Sequence, residues 1–324
     1  MKKQAVLAAV AMFAGAAFAL PLENGLAAYY TFDEAAPVNH ALDATVSGVT
    51  LNGSAVSGAT GASAKYGCGG CLDLAGGYAS LDGSESLAFE NGNDFTLVVW
   101  MRAPARQGAL GDDPVFVGNG NWNSSATPGI VLSMDSNSSK PDGYIVCNYS
   151  ERDSSSGRQR LNSGAIALGE WAFYAVSHTS DGKFSFWRSK SDGSLELVAE
   201  NESYGFRLVD STARKFHLGQ DGTGEYQYGF SGQIDEFALW TRGLSSADIA
   251  RIYANGRDAG TLADLMKPSM TVERSTDIHA NNVKVSFSGI RESDYVLKVA
   301  SGEQTKAEQH GAREISIFKD GVVL

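Results

Sequence analysis

Apolar and polar residues alternate along most of this 324-residue chain, in short runs separated by Gly, Ser, Asn and Asp. Period-two alternation marks strands that bury one face. The clearest runs are 94–102 (DFTLVVWMR), 169–178 (GEWAFYAVSH) and 233–240 (QIDEFALW). Asp181-Gly182 is a two-residue turn signal that predicts a hairpin between 169–178 and 184–188. Further strands are predicted at 25–32, 72–81, 143–149, 196–199 and 215–219, and on both sides of an Asn/Gly/Ser loop within 114–133. In 233–240, regular alternation puts Ile234, Glu236, Ala238 and Trp240 on one face and Asp235, Phe237 and Leu239 on the other. Both faces turn apolar toward the C-terminal end, so that end is expected to be covered on two sides.

One amphipathic helix interrupts the strands. Ser245 is a good N-cap, with Asp248 three residues on; Ile249, Ile252 and Tyr253 form the apolar stripe, and Gly256 is the expected left-handed stop. Beyond it the character changes. Residues 261–269 read as a linker with a helical turn. Residues 270–324 offer four short strands (TVERS, VKVSFSGI, YVLKVAS, EISIF), a small β-rich module or the stub of a longer one. With 37 Gly, 7 Pro and a single convincing helix, the class is all-β, a sandwich over 20–260.

The first 19 residues belong to targeting. Lys2-Lys3, the apolar run 5–16 and Ala17-Phe18-Ala19 have the order of a cleavable signal peptide, which predicts a secreted, periplasmic or cell-surface protein. No later stretch has the length and apolarity of a membrane span. Losing Lys2 and Lys3 takes the formal charge from −11 to −13. That charge argues against nucleic acid and anionic membrane surfaces as partners, and suits divalent cations.

Three cysteines are too few for a disulfide scaffold. Cys68 and Cys71 form C-x-x-C in a Gly-rich turn, and export makes a small local disulfide the expectation. A strand follows, not the helix of a thioredoxin-type redox site, and one C-x-x-C cannot close a four-ligand zinc site. Cys147, within YIVCN, reads as a buried thiol.

Gly232, Ile234, Asp235, Glu236, Arg242, Leu244, Ser245, Ile249 and Tyr253 form a run, G-x-I-D-E…R-x-L-S…I-x-x-x-Y. It resembles the closing segment of the laminin-G-like, concanavalin A-like jelly rolls. The opening strand 25–32 ending at Asp33-Glu34, the F-T-x-x-x-W-x-R strand around Trp100 and the G-x-W strand at 169 carry the same likeness. It extends over 25–256. The loop with Asn121 and Ser125 partly matches that of one subgroup, and Asn148 and Arg160 match its N-x-S/D…R element.

The resemblance implies a jelly-roll sandwich of two antiparallel sheets with one short C-terminal helix. It implies a structural calcium where the opening and closing strands meet, held by Asp33 and Asp235, with Glu236 sent to the other face. It places Asn119, Trp122, Tyr149, Arg152 and Arg160 near one rim, where aromatic rings stack on sugars and amides and Arg donate to hydroxyls. Trp100 is assigned to the core.

Such sandwiches host both glycosidases and binding modules. The enzymes take their carboxylates from E-x-D-x-x-E; the nearest match, Glu151-Arg152-Asp153, has Ser at 156. None of the five His lies in a metalloprotease pattern, and no G-x-S-x-G occurs. The reading is therefore an exported, non-catalytic, calcium-supported module that binds a polysaccharide or glycoconjugate. The alternatives are an adhesion module for a cell-surface protein and, third, a glycan-active enzyme.

Overall fold

The computed structural model describes residues 22–34, 37–41, 50–52, 70–84, 94–104, 113–122, 129–135, 144–150, 158–165, 167–179, 183–201, 215–224, 230–266, 269–274, 283–288, 295–299, 313–317 and 322–323. The expected signal segment lies outside them. The chain divides into two compact units, Leu22–Lys267 and Pro268–Leu324.

The first unit opens with β1 (Leu26–Tyr30), β2 (Thr50–Asn52), β3 (Leu72–Asp73) and β4 (Ala79–Asp82). Then come β5 (Phe95–Arg102), β6 (Val115–Gly118), β7 (Gly129–Asp135), β8 (Tyr144–Ser150) and β9 (Arg158–Ala165). β10 (Trp171–His178) and β11 (Phe184–Ser189) pair as the predicted hairpin. β12 (Leu195–Asn201), β13 (Phe216–Leu218) and β14 (Gln233–Trp240) lead to helices α1 (Ser246–Arg257) and α2 (Leu262–Met266).

Two antiparallel sheets form the expected sandwich. The first has the order β1-β14-β5-β10-β11-β12, with β3 also on β14; the second runs β2-β4-β13-β6-β7-β8-β9. Between them lies the main core, where Phe95, Leu97, Val99 and Met101 of β5 meet Phe116, Ile130, Leu132 and Cys147. Each such side chain, once buried, contributes about 1.5–3 kcal/mol of transfer free energy.

The first sheet is apolar on its other face too. Val98 and Trp100 of β5, Phe173 and Ala175 of β10, and Ala238 and Trp240 of β14 pack under Ile249, Ile252 and Tyr253 of α1. Trp100 stacks on Tyr253 at 5.9 Å and meets Phe173 at 5.4 Å, which makes it core as expected. Thr96, the polar residue within β5, is satisfied: its Oγ1 lies 3.0 Å from Ser177 Oγ and accepts the Leu244 N–H at 2.8 Å. Residues 261–266 of the expected linker carry α2, whose Leu262 and Met266 are buried in this helix-side cluster.

Three local expectations are corrected. The run 72–81 is two strands in different sheets, because Ala75 and Gly76 take left-handed φ of 44° and 82° and turn the chain. In β14 the alternation breaks at a bulge: Asp235 pairs with Trp100 and Ala238 with Val98, so Glu236 and Phe237 together face one β5 residue. Ile234 therefore shares the main core with Phe237 and Leu239, not the face of Ala238 and Trp240. Gly256 does not stop α1. The helix runs on to Arg257, and Ala259 takes the left-handed turn at φ 67°. Gly256 is instead where the helix approaches Trp100, which a Cβ would meet at 2.9 Å. Ser245 caps as expected, accepting the Asp248 N–H at 3.1 Å.

In the second unit, β15 (Ser269–Arg274) and β16 (Val283–Ser288) form one pair, and β17 (Tyr295–Val299) and β18 (Arg313–Ile317) another. β19 (Val322–Val323) pairs with β16.

Candidate functional site

The outer face of the second sheet differs from that of the first. Registers align one row across all seven strands: Asn52, Ser80, His217, Gly118, Val131, Asn148 and Arg160. The row sits between inward residues such as Leu81, Leu218, Leu132 and Cys147, so alternation turns it away from the core. Its centre, Gly118 and Val131, is small and buried, and polar groups flank it.

Two residues of the row, Asn148 and His217, carry atoms without partners. Asn148 is only 3 % exposed, yet neither its Nδ2 nor its Oδ1 is hydrogen-bonded. His217 Nδ1, Ser133 Oγ and Gln220 Oε1 are buried and unbonded as well. Ser133 lies two residues along β7 from Val131, opposite Val146. Buried polar atoms are nearly always satisfied, and an orphaned amide marks a place where a ligand can supply the missing bonds. The unbonded His217 Nδ1 lies three strands away in the same row. Burial holds the His217 pKa down against the opposing pull of Asp221. Asp82 and Asp221, the carboxylates whose charges act on His217, are already engaged. Asp82 Oδ1 accepts from Lys215 Nζ at 2.8 Å and from Ser80 Oγ at 3.0 Å.

Asp221 and Asn119 build the rim beside this row. Asp221 Oδ2 accepts the Trp122 N–H at 2.9 Å, and its Oδ1 accepts the Thr223 N–H and hydroxyl at 3.0 and 2.8 Å. Asn119 Oδ1 accepts the Ile130 N–H at 2.8 Å, while the Asn119 N–H returns a bond to Ile130 O at 2.9 Å. Gly222 donates to Gly120 O at 2.9 Å, lying so close that a Cβ would overlap the Asn119 backbone. Asn119 thus ties loop to strand, and Trp122 is presented on a loop pinned from outside by Asp221.

Of the other expected ligand residues, Arg160 falls in the polar row opposite Asn148, and Tyr149 pairs with Ile130 and Gln159 one position along. Arg152 lies outside the described residues. Asp221, Gly222 and His217 escaped the sequence reading; the D-G-x-G turn at 221–224 and the alternation in KFHLG were the available signals.

Asp33 and Asp235 belong to the first sheet, away from this row. β1 and β3 lie end to end along one edge of β14, leaving off at Phe237 and resuming at Ile234, so Asp235 falls in the gap. Asp33 Oδ1 accepts the Gly70 N–H at 2.7 Å across the same gap, and Asp235 Oδ1 accepts the Glu236 N–H at 2.8 Å. Among the described residues no three His, Cys, Asp or Glu gather as a metal set, so a cation here would depend on backbone carbonyls and water. Burial, then the Asp235 charge, push Cys71 in its thiol form up to about 12. Cys68, its expected disulfide partner, lies outside the described residues.

A family model described as the concanavalin A-like lectin/glucanases superfamily, Laminin_G_3, matches residues 73–250. No curated protein matches the chain. Among solved structures, the binding domain of botulinum neurotoxin DC, in complex with rat synaptotagmin II, is 10% identical with a TM-score of 0.50, covering 93% of this chain and 70% of that one. The binding domain of Paraclostridial Mosquitocidal Protein 1 gives 11% identity and 0.49, over 93% and 70%. The CBM40 of Ruminococcus gnavus IT-sialidase, bound to α2,3 sialyllactose, gives 16% and 0.40, over 53% and 86%. At these identities the likeness is one of fold.

Proposed function

This chain belongs to the concanavalin A-like lectin/glucanases superfamily, and on that premise we propose that the outer face of its second sheet binds carbohydrate without cleaving it. The observation that carries the reading is Asn148, a buried amide with both atoms unbonded in a row of polar side chains. An amide donates and accepts at once, which suits adjacent sugar hydroxyls. Hydrolysis with retention would need two carboxyls about 5–5.5 Å apart and free to act. Asp82 and Asp221 instead hold Lys215, Ser80, Thr223 and the Trp122 backbone.

Asn148→Val tests this in two measurements. An unbonded buried amide costs about 1–3 kcal/mol, so the variant is expected to melt above the parent. On a glycan array the parent should bind one glycan class, and the variant should bind it at least about tenfold more weakly, the equivalent of about 1.4 kcal/mol. Silence across the array with retained binding to a cell-surface protein would replace carbohydrate by a protein partner. Release of product from a polysaccharide would overturn the non-catalytic reading.

We also propose that calcium supports the fold, with Asp33 and Asp235 among its ligands, and that the protein is exported. The support is the place of Asp235 opposite the β1–β3 gap that Asp33 bridges through the Gly70 N–H, and the Lys2-Lys3 and Ala17-Phe18-Ala19 pattern. Calcium at about 100 times its Kd stabilises by about 2.7 kcal/mol. Chelation should then lower Tm by roughly 5–10 °C for a unit of this size, and Asp235→Asn should blunt the response. An unchanged melt after chelation rules the site out. Intact mass of the exported chain, starting at Leu20, settles the leader.

A further inference from the structure

A second recess lies on the first sheet, away from the polar row. Between the 167–170 turn and the Lys190–Ser194 turn opens a cleft of about 830 Å³, lined by Trp171, Tyr174, Arg188, Lys190 and, from α1, Tyr253. That volume is in the range of small-molecule sites. Its walls are fixed: Ser189 Oγ accepts the Phe173 N–H at 2.8 Å, and Arg257 Nη1 donates to Gly193 O at 3.3 Å, tying the turn to the end of α1.

The chemistry facing the cleft is dominated by donors. Trp171 Nε1 is buried and has no acceptor, and an indole N–H can only donate. The Arg102 guanidinium lies 5.4 Å from the Trp171 ring centroid. Arg188 pairs with Glu196 at 2.9 Å, but the cation is 18% exposed and the acid 40%. Lys190 and Asp192 stand 3.7 Å apart at 39% and 63% exposure. Pairs whose acid lies in solvent are weak and open to competition. Asp192 is further committed to its own turn, accepting from the Ser194 N–H at 2.9 Å and hydroxyl at 2.6 Å. Arg188 also reaches toward Tyr174, whose hydroxyl it makes more acidic against the effect of burial. Glu170, exposed, is the acid left on the lining.

We propose that this cleft binds a carboxylate-bearing sugar ring, such as a uronic acid residue. The ring lies among Trp171 and Tyr253, its carboxylate is met by Lys190 and Arg188, and a ring or hydroxyl oxygen accepts the Trp171 N–H. The site is separate from the polar row on the second sheet and stands whether or not that row binds glycan.

Calorimetric titration of the full chain with a uronate disaccharide and with its neutral counterpart tests the proposal. The acid should bind at least about tenfold more tightly than the neutral sugar and weaken with added salt. Trp171→Phe keeps the ring and removes the N–H; Lys190→Gln removes a surface charge without touching the core. Each should weaken acid binding about fivefold or more, and Asn148→Val should leave it unchanged. No binding at millimolar acid, equal binding of both sugars, or loss on Asn148→Val with both cleft variants unaffected would overturn it.

Discussion

Replacing Glu236 by Ala is expected to lower the unfolding free energy by about 3 kcal/mol, because it orphans two buried donors at about 1–3 kcal/mol each. Glu236 is 8% exposed, and its Oε2 accepts the Tyr29 hydroxyl at 2.8 Å and the Leu262 N–H at 3.1 Å. The Tyr29 oxygen in turn accepts the Ala263 N–H at 3.3 Å. One carboxylate therefore joins β14, β1 and the start of α2. A five-residue helix cannot hold itself in water, so α2 depends on this anchor and on the burial of Leu262 and Met266. The carboxylate reaches its partners because alternation sets Glu236 on the helix side with Ala238 and Trp240, while the bulge, with Glu236 at φ 48°, sends Ile234 to the main core. Burial, then the Glu236 charge, raise the Tyr29 pKa, so the phenol keeps its proton for this bond. Urea unfolding should show a lower midpoint for Glu236→Ala, and Tyr29→Phe should add little on top of it. A midpoint equal to the parent's would refute the anchor.

Gly222→Ala is the second large effect, a loss of about 2–3 kcal/mol through overpacking. The reason is proximity, since the new methyl would overlap the Asn119 backbone. Relief requires the 219–224 segment to move away from Gly120, breaking the 2.9 Å bond between Gly222 N–H and Gly120 O and dragging Asp221 from the Trp122 N–H. The variant should lose stability and ligand binding together. Gly118→Ala is the matched control: its Cβ would sit 3.4 Å from Ile130 O and Val131 Cγ2, ordinary contact, so the fold should tolerate it. Parallel melts of the two variants decide the matter. If Gly222→Ala melts with Gly118→Ala, the junction is looser than its geometry implies.

The strands were legible wherever both faces of the first sheet demanded apolar residues, as in β5 and β14, whose bounds the sequence pattern nearly reproduces. The Ser245 cap was legible because its chemistry is local. What escaped were contacts between distant segments. The β14 bulge depends on Tyr29 and Leu262, hundreds and tens of residues away, and no count of alternation within 233–240 contains them. Gly256 looked like a helix stop because its partner, Trp100, is visible only once the sheet is assembled. For the site, the reading named residues that the fold sets on β8, β9 and the loop after β6. It gave Asn119 to the ligand without seeing that its Oδ1 would accept the Ile130 N–H. It took Asn148 as part of a family motif without seeing that burial would leave it unbonded.

Asn148 follows Cys147, and the pleat sends them to opposite sides of the same strand: the amide to the polar row, the thiol to the main core, where burial raises its pKa. Opening β8 from its neighbours would expose both at once. The thiol is therefore a built-in clock for breathing of this sheet. The rate at which a small alkylating reagent reaches Cys147 reports how often the polar row comes apart, and a ligand seated on that row must slow it.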